Sequence, residues 1–275
     1  MRLPSLALAL AATTALGALV HADARAADTV HVLVFMEHGV GTPAQAQPYV
    51  DKLVDLARAK NGWAAAEGKY VTQRAQAEKY VASHQPQFGI LSLGAFLGTR
   101  KAHQLEVLGV ADVARAGGRK FHVVSLTAGD LASCKGKRLA TNHADDKRFI
   151  DKVVSGDAFD LADFTVVATE RPVQTLKKVI KGEADCALID NAQHAEMAHV
   201  DGAGAMKSVW SSPDLPPMAV VAFSGASGAD RAKFKASLGS LCSGPGKEHC
   251  DKVGIKSIRD ADKAAFAAAV ASYGD

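Results

Sequence analysis

Short apolar runs alternate with amphipathic segments along most of the chain. The run VHVLVF, Val30–Phe35, has the length and the β-branched content of a buried strand. A helical pattern follows: Pro43 suits the first helical position, apolar residues recur three or four positions apart, and Gly62 marks the end. The order of strand and then helix predicts a sheet covered by helices.

The same alternation continues toward the carboxyl terminus. Further strands are predicted at FGILSLGAF, LEVLGVADV, KFHVVSL, KRLAT, DFTVVAT, CALID, KSVWSS and MAVVAF. Further helices are predicted at TQRAQAEKYVASHQ, NHADDKRFIDKVVSG, RPVQTLKKVIKG, GADRAKFKASLGSLC and DADKAAFAAAVASYG. This pattern is typical of an α/β protein with mainly parallel sheets flanked by helices, here in two halves.

Polar residues follow several of the predicted strands. In open parallel sheets, ligands bind beyond the carboxyl ends of the strands. We therefore predict a ligand-binding cleft formed by Glu37, His38, Ser92, Thr141, Asn142, His143, Asp190 and Asn191.

Most of these positions also have a structural interpretation. Asp190 and Asn191 can cap the following helix, and Ser92 can be a buried hydroxyl bonded to the backbone. Glu37 and His38 can form a capping loop, although Gly39 and Gly41 beside them would let the backbone approach a ligand.

The segment HAEMAH contains a mixture of soft ligands. His194, Met197 and His199 are residue types that suit copper or zinc, but the i, i+4 histidine spacing of a zinc-binding helix is absent. These histidines fit three interpretations: surface or supporting residues, contacts to an organic or anionic ligand, or a metal site. We predict no metal site and no cofactor.

The first 26 residues have the pattern of a secretory signal peptide. Arg2 supplies the positive start, the apolar stretch from Leu6 to Val20 is short for a membrane span, and Ala24-Arg25-Ala26 is a cleavage pattern. We expect cleavage near Ala26, export of the mature chain and no stable membrane insertion. The remaining 30 basic and 28 acidic residues are dispersed, so no nucleic-acid partner is expected.

The four cysteines fit an oxidising compartment. None forms a C-x-x-C pair, and four cysteines allow three pairings. A Gly-Pro-Gly turn in CSGPGKEHC favours Cys242–Cys250, which leaves Cys134–Cys186.

Motifs of secreted enzymes are missing from the sequence. There is no G-x-S-x-G or H-E-x-x-H, and FSGASGAD lacks the nucleophile spacing. The even number of cysteines argues against a free catalytic thiol. We therefore predict that the chain is not an enzyme.

Four segments of the sequence resemble motifs of one known protein family. The segment DLASCKGKRLAT resembles D-L-x-G-K-x-h-A, where h is apolar, and TLKKVIKGEADCALIDN resembles A-h-x-x-V-x-x-G-x-A-D-A-A. The segments SSPDLPPMAVV and VGIKSIRDADKAAF resemble the return to the first lobe and the carboxyl-terminal motif. Together, and in this order, they resemble periplasmic solute-binding proteins of the phosphate/phosphonate-binding family of ABC importers over nearly the whole mature chain. The resemblance implies a periplasmic location.

The resemblance implies a type II periplasmic binding fold with two lobes and two hinge crossings. The expected division is residues 27–125 with 223–275 as lobe 1 and residues 126–222 as lobe 2, with hinges near Ser125–Thr127 and Val221–Phe223. The implied protein is a monomer that binds a small polar solute, a phosphate- or phosphonate-like oxyanion being favoured, and delivers it to an importer permease. The alternatives are a sensor or partner-protein module, or a metal receptor that uses cleft histidines.

One turn departs from the family pattern. Phosphonate binders follow the first strand of lobe 2 with a Ser/Thr-rich turn, whereas this chain has TNHADDKRF. Asp145 and Asp146 suit the amino terminus of a helix but would repel a phosphate.

Overall fold

A computed structural model describes residues 29–39, 42–113, 117–252 and 255–274. The predicted signal peptide and Gly41 lie outside these ranges. No helix in the described ranges is long and apolar enough to cross a membrane.

The described residues form eleven strands and nine α-helices. The strands are β1 Val30–Phe35, β2 Ala66–Val71, β3 Phe88–Leu91, β4 Glu106–Val113, β5 Phe121–Ser125, β6 Arg138–Thr141, β7 Thr165–Ala168, β8 Cys186–Asp190, β9 Lys207–Ser211, β10 Met218–Ala222 and β11 Ile255–Asp260. The helices are α1 Pro43–Asn61, α2 Arg74–His84, α3 Leu93–Thr99, α4 Lys147–Phe149, α5 Pro172–Ile180, α6 Asn191–Glu196, α7 Gly228–Leu241, α8 Gly246–Lys252 and α9 Ala267–Tyr273.

The strands form two sheets, which confirms the α/β class and the two halves. The first sheet has the order β11-β4-β10-β3-β1-β2, and the second has the order β7-β6-β8-β5-β9. Both sheets are mixed, and in this respect they differ from the predicted mainly parallel arrangement. Every antiparallel ladder includes β4, β5, β9 or β10, the strands next to the points where the chain passes between the sheets.

The predicted lobe boundaries each lie one strand too late. β5 belongs to the second sheet and β10 to the first, so the chain crosses between Val113 and Phe121 and returns between Ser211 and Met218. The same shift applies to both predicted hinges. An apolar strand pattern reports burial but not the sheet that the strand joins, which explains the error.

Local sequence signals account for most element ends. Thr42 and Gln45 form a capping box at the start of α1, and Gly62 ends the helix in the left-handed conformation. Two strands, β2 and β11, were not predicted. Their sequences, AEGKYV and IKSIRD, are rich in charge because their outer positions are exposed. The predicted helix from Asn142 begins only at Lys147, because the preceding turn contributes to the cleft.

The hydrophobic core is continuous between the two sheets. One cluster contains Phe35 and Leu91 of the first half together with Phe121, Leu139 and Phe149 of the second. The two halves therefore contact each other directly behind the cleft.

Both predicted disulfides are confirmed. Cys134 pairs with Cys186 and Cys242 pairs with Cys250. Cys186 begins β8 and lies in register with Leu139 of β6, so the first disulfide supports both strands.

Candidate functional site

The carboxyl ends of β1, β3, β6 and β8 converge on one cleft between the two halves. Its empty volume is about 390 Å³, including space open to solvent. Five of the eight predicted site residues line it: Glu37, His38, Ser92, His143 and Asp190.

Arg74, at the start of α2, connects the two sides of the cleft. Its guanidinium donates to both carboxylate oxygens of Glu37, at 2.7 and 2.6 Å, and to Oδ2 of Asp146 at 3.1 Å. The hydrogen bonds that Arg74 donates to Glu37 are the largest influence on the pKa of Arg74 and raise it. The Glu37 side chain is only 4% exposed, and this bidentate pairing supplies hydrogen-bond donors to both of its buried oxygens.

Asp146 is the contact of the second half with this network. Its Oδ1 accepts the backbone N–H of Phe149 at 3.1 Å and thereby caps α4. The hydroxyl of Tyr273, in the last helix, donates to the same oxygen at 3.4 Å. One buried carboxylate thus connects the second half to both α2 and α9.

His38 occupies a strained turn directly after β1. Its φ angle is 60°, in the left-handed region, and its backbone N–H donates to the carbonyl of Thr72 at 3.1 Å. Its Nε2 lies 3.0 Å from Oδ1 of Asp145 but lacks hydrogen-bond alignment to any partner. Burial lowers the pKa of His38, but Asp145 and Glu37 outweigh burial, so that the pKa is raised overall.

His143 is a buried neutral imidazole next to His38. Its ring is 5% exposed, with its centroid 4.7 Å from that of His38 and 5.1 Å from that of Phe121. Burial lowers the pKa of His143 to about 3. Its Nε2 is buried and has no hydrogen-bond partner, which is costly for a polar atom.

Asp190 combines the two interpretations that the sequence left open. It caps α6, because Oδ1 accepts the N–H of Gln193 at 2.8 Å while its own N–H donates to Oε1 of Gln193 at 2.9 Å. It also lines the cleft. Burial raises the pKa of Asp190 to about 6. Gly117 lies so close that a Cβ there would be 1.6 Å from Oδ2 of Asp190, so only glycine fits.

The other predicted residues hold the site together. Oγ1 of Thr141 accepts the N–H of His143 at 3.1 Å, and Oδ1 of Asn142 accepts from Gln193 at 2.8 Å. Oδ1 of Asn191 accepts the N–H groups of Arg119 and Lys120 at 3.0 and 3.2 Å and so fixes the segment that crosses between the sheets. Oγ of Ser92 accepts the N–H of Glu37 at 3.2 Å.

The soft ligands of HAEMAH do not come together at the cleft. The ring of His194 stacks on His122 with centroids 4.1 Å apart, and its Nε2 lies 3.0 Å from Oγ of Ser208. Met197 is buried in the core of the second half, and His199 is exposed.

Sequence reasoning missed Arg74 and Tyr273. Arg74 lies on a helix without any motif, and Tyr273 lies at the far end of the chain. Their contacts to Glu37 and Asp146 depend on tertiary packing, so no local signal announces them. The pair Gly117–Gly118 was a usable signal for the crossing.

The charges around the cleft are mainly negative. Glu37, Asp145, Asp146 and Asp190 contribute carboxyl groups, whereas Arg74 supplies the cation and is already paired with two of them. A cleft of this composition repels anions and attracts cations.

The fold is shared with solved binding proteins. XAC2383 from Xanthomonas citri, bound to ATP, matches with a TM-score of 0.68 at 14% identity over 90% of this chain and 97% of its own. PhnD1 from Prochlorococcus marinus, in complex with methylphosphonate, matches with a TM-score of 0.64 at 10% identity over 87% and 94%. The chain has the two-lobed fold of periplasmic solute-binding proteins. The periplasmic aliphatic sulphonate binding protein SsuA from Escherichia coli has the same fold, with a TM-score of 0.54 at 11% identity over 90% and 78%.

No protein-family model and no curated protein match the sequence. At these identities the solved structures establish the binding-protein fold, which confirms the predicted two-lobed architecture. The ligand has to be argued from the cleft of this chain.

Proposed function

We propose that this chain is an exported solute-binding protein that holds a small polar ligand in the cleft and presents it to an ABC importer. The observation that carries the proposal is the convergence of buried polar side chains from both halves on one cleft. In this proposal Glu37, His38, Ser92, His143 and Asp190 contact the ligand, while Thr141, Asn142 and Asn191 support them.

The mechanism in this proposal is lobe closure without chemistry on the ligand. A ligand that contacts both halves binds the closed form more tightly than the open form, and this difference in affinity shifts the equilibrium. The pairs Arg74–Asp146 and His38–Asp145 join the two halves and would form only on closure. They make closure depend on the charge within the cleft.

A phosphate- or phosphonate-like oxyanion is the ligand class that the sequence favours. It is favoured by the ligands of the solved neighbours, which include methylphosphonate and ATP. The carboxylates of the cleft oppose it, because Arg74 has no charge left to neutralise an added anion.

A ligand panel tests the proposal. The purified chain is unfolded, stripped of bound solutes, refolded, and melted with phosphate, methylphosphonate, alkanesulfonates, amino acids, organic cations and divalent metals. A true ligand at one hundred times its Kd adds about 2.7 kcal/mol to the free energy of unfolding. Small-angle scattering should show a more compact chain with the same ligand. A periplasmic extract is tested in the same way as the panel. The proposed function would be contradicted if neither the panel nor the extract changed the melting temperature or the compactness of the chain.

A further inference from the structure

Three potential metal ligands meet at the mouth of the cleft. Ligand atoms of Glu37, His38 and Asp145 all lie within 4.8 Å of one another, and two of these residues belong to one half while the third belongs to the other. Nε2 of His38 and Oδ1 of Asp145 are 3.0 Å apart. Two ligands of a tetrahedral zinc ion are about 3.3 Å apart, because each lies about 2 Å from the metal.

His143 supplies an independent observation. Its Nε2 is buried at the cleft without a hydrogen-bond partner, although buried polar atoms are almost always satisfied. The ring centroids of His143 and His38 are 4.7 Å apart, and imidazoles on one tetrahedral ion have centroids about 5 Å apart. The ligand atoms that lie within 4.8 Å of one another belong to Glu37, His38 and Asp145 and do not include an atom of His143. A shift of the His143 ring toward an ion bound to His38 would satisfy both unpartnered nitrogens at once.

The charge of the surroundings fits a divalent cation. Glu37, Asp145 and Asp146 carry three negative charges and Arg74 one positive charge, so the group has a charge of −2 when the histidines are neutral. A divalent ion neutralises it. Arg74 would then orient the Glu37 carboxylate from behind, as hydrogen bonds commonly do for metal-binding carboxylates.

We propose that His38, His143, Glu37 and Asp145 bind a divalent transition-metal ion of the zinc class and that this ion is the solute on which the cleft closes. Two imidazoles with two carboxylates suit zinc and its neighbours better than magnesium or calcium, which prefer oxygen ligands alone. The second part of the proposal rests on the proposed function.

Metal binding is tested on the chelator-treated full chain with Zn²⁺ alone, by competition against a chromogenic chelator. We expect one ion per chain, and a Kd raised at least about 10-fold by His38→Ala and by His143→Gln. If His143→Gln fails to fold because this position is buried, His38→Ala still tests the site. Circular dichroism verifies the fold of each variant.

The stacked pair His122 and His194 provides the matched control. His122→Ala and His194→Ala should leave the zinc affinity unchanged. With Cu²⁺ as a probe, electron paramagnetic resonance should show two coupled nitrogens in the unsubstituted chain, one in His143→Gln and two in His194→Ala. Zinc binding that is lost in the His122 or His194 variant, or absent altogether, overturns the proposal.

Small-angle scattering separates this inference from the proposed function. Compaction by Zn²⁺ that is lost in His38→Ala supports both. Compaction by methylphosphonate or another solute, with none by Zn²⁺, overturns the ion as solute and leaves the proposed function standing. Compaction by neither Zn²⁺ nor any solute overturns both.

Discussion

Two turns of the second half occupy equivalent places in the fold and have different environments. Each lies at the carboxyl end of a strand in the parallel part of the sheet, and each contains a capping aspartate: Asp146 before α4, and Asp190, the last residue of β8, before α6. Asp146 meets Arg74 from the opposite half. Asp190 is satisfied within its own half by Gln193, and Gly117 lies against its other oxygen. Each capping hydrogen bond is made to a residue nearby in sequence, whereas Arg74, the charge partner of Asp146, is brought close by the tertiary fold.

The difference decides how each carboxylate behaves. Asp146 has a cation beside it, so its negative charge contributes to the contact between the halves. Asp190 is 3% exposed, and burial outweighs its backbone hydrogen bonds and the charge of His38, so its pKa is raised to about 6. A capping aspartate at a strand end can therefore have two roles. It joins the two halves when a cation of the other half lies beside it, and it is a buried acid with a raised pKa when it is enclosed within its own half.

Removal of the support shared by both turns should have the largest effect. Cys134–Cys186 closes a 52-residue separation at the base of β6 and β8, and Cys242–Cys250 a separation of 8. Replacement of both cysteines of the first pair by alanine should lower the free energy of unfolding by about 4 kcal/mol, against about 2.5 kcal/mol for the second pair. Urea unfolding measures both losses.

Hydrogen exchange shows whether the first disulfide supports the two turns. Amide protection should fall at the turns after β6 and β8 in the Cys134/Cys186 variant and stay unchanged there in the Cys242/Cys250 variant. Equal loss of protection in both variants would show that the disulfide acts only on global stability.

The second prediction concerns the buried acid Asp190. Its pKa is 3.8 when unperturbed and about 6 in the folded chain, so the folded state binds the proton more tightly. The resulting stability is present below pH 4 and is lost as the pH rises through 6, an effect of about 3 kcal/mol. Asp190→Asn cannot ionise and keeps an acceptor for Gln193. The variant should therefore gain up to this amount relative to the unsubstituted chain between pH 4 and 7.

Denaturant unfolding at several pH values measures this difference. Asp262→Asn, which alters a cap at the surface, is the control for the substitution itself. Parallel pH profiles of the Asp190 variant and the unsubstituted chain would mean that the carboxyl group is ionised alike in the folded and unfolded states.

The sequence predicted the strands and the polar residues at their ends. Apolar runs located β1, β3, β6 and β8, and the rule that ligands lie at strand ends selected Glu37, His38, His143 and Asp190, which do meet at the cleft. These inferences need only periodicity and the general geometry of α/β sheets.

The contacts between residues far apart in sequence could not be predicted. Arg74 and Tyr273 reach Asp146 from far along the chain, at 3.1 and 3.4 Å, and nothing near them in sequence specifies that contact. The lobe boundaries were misplaced for the same reason. The apolar patterns of β5 and β10 show that these strands are buried but do not show which of the two sheets each strand joins. Pairing partners are set by tertiary packing, which a single sequence does not display.

The smallest effects are expected from the charges that join the two halves. Asp146→Asn keeps a cap acceptor and loses the ion pair with Arg74, whose side chain is one-third exposed and retains Glu37. We expect a loss of about 1 to 2 kcal/mol in the free energy of unfolding. Asp145→Asn, at a side chain that is 63% exposed, should cost less than about 1 kcal/mol. Urea unfolding in the presence of a chelator measures both variants without a contribution from bound metal.

A double-mutant cycle sharpens the first of these values. Arg74→Gln and Asp146→Asn, alone and together, isolate the coupling between the two side chains from the cap to Phe149. Coupling above about 0.5 kcal/mol that weakens with added salt would show that the charge pair helps to hold the halves together. Zero coupling would mean that Asp146 acts only through its hydrogen bonds from Phe149 and Tyr273 and that its pairing with Arg74 does not hold the halves together.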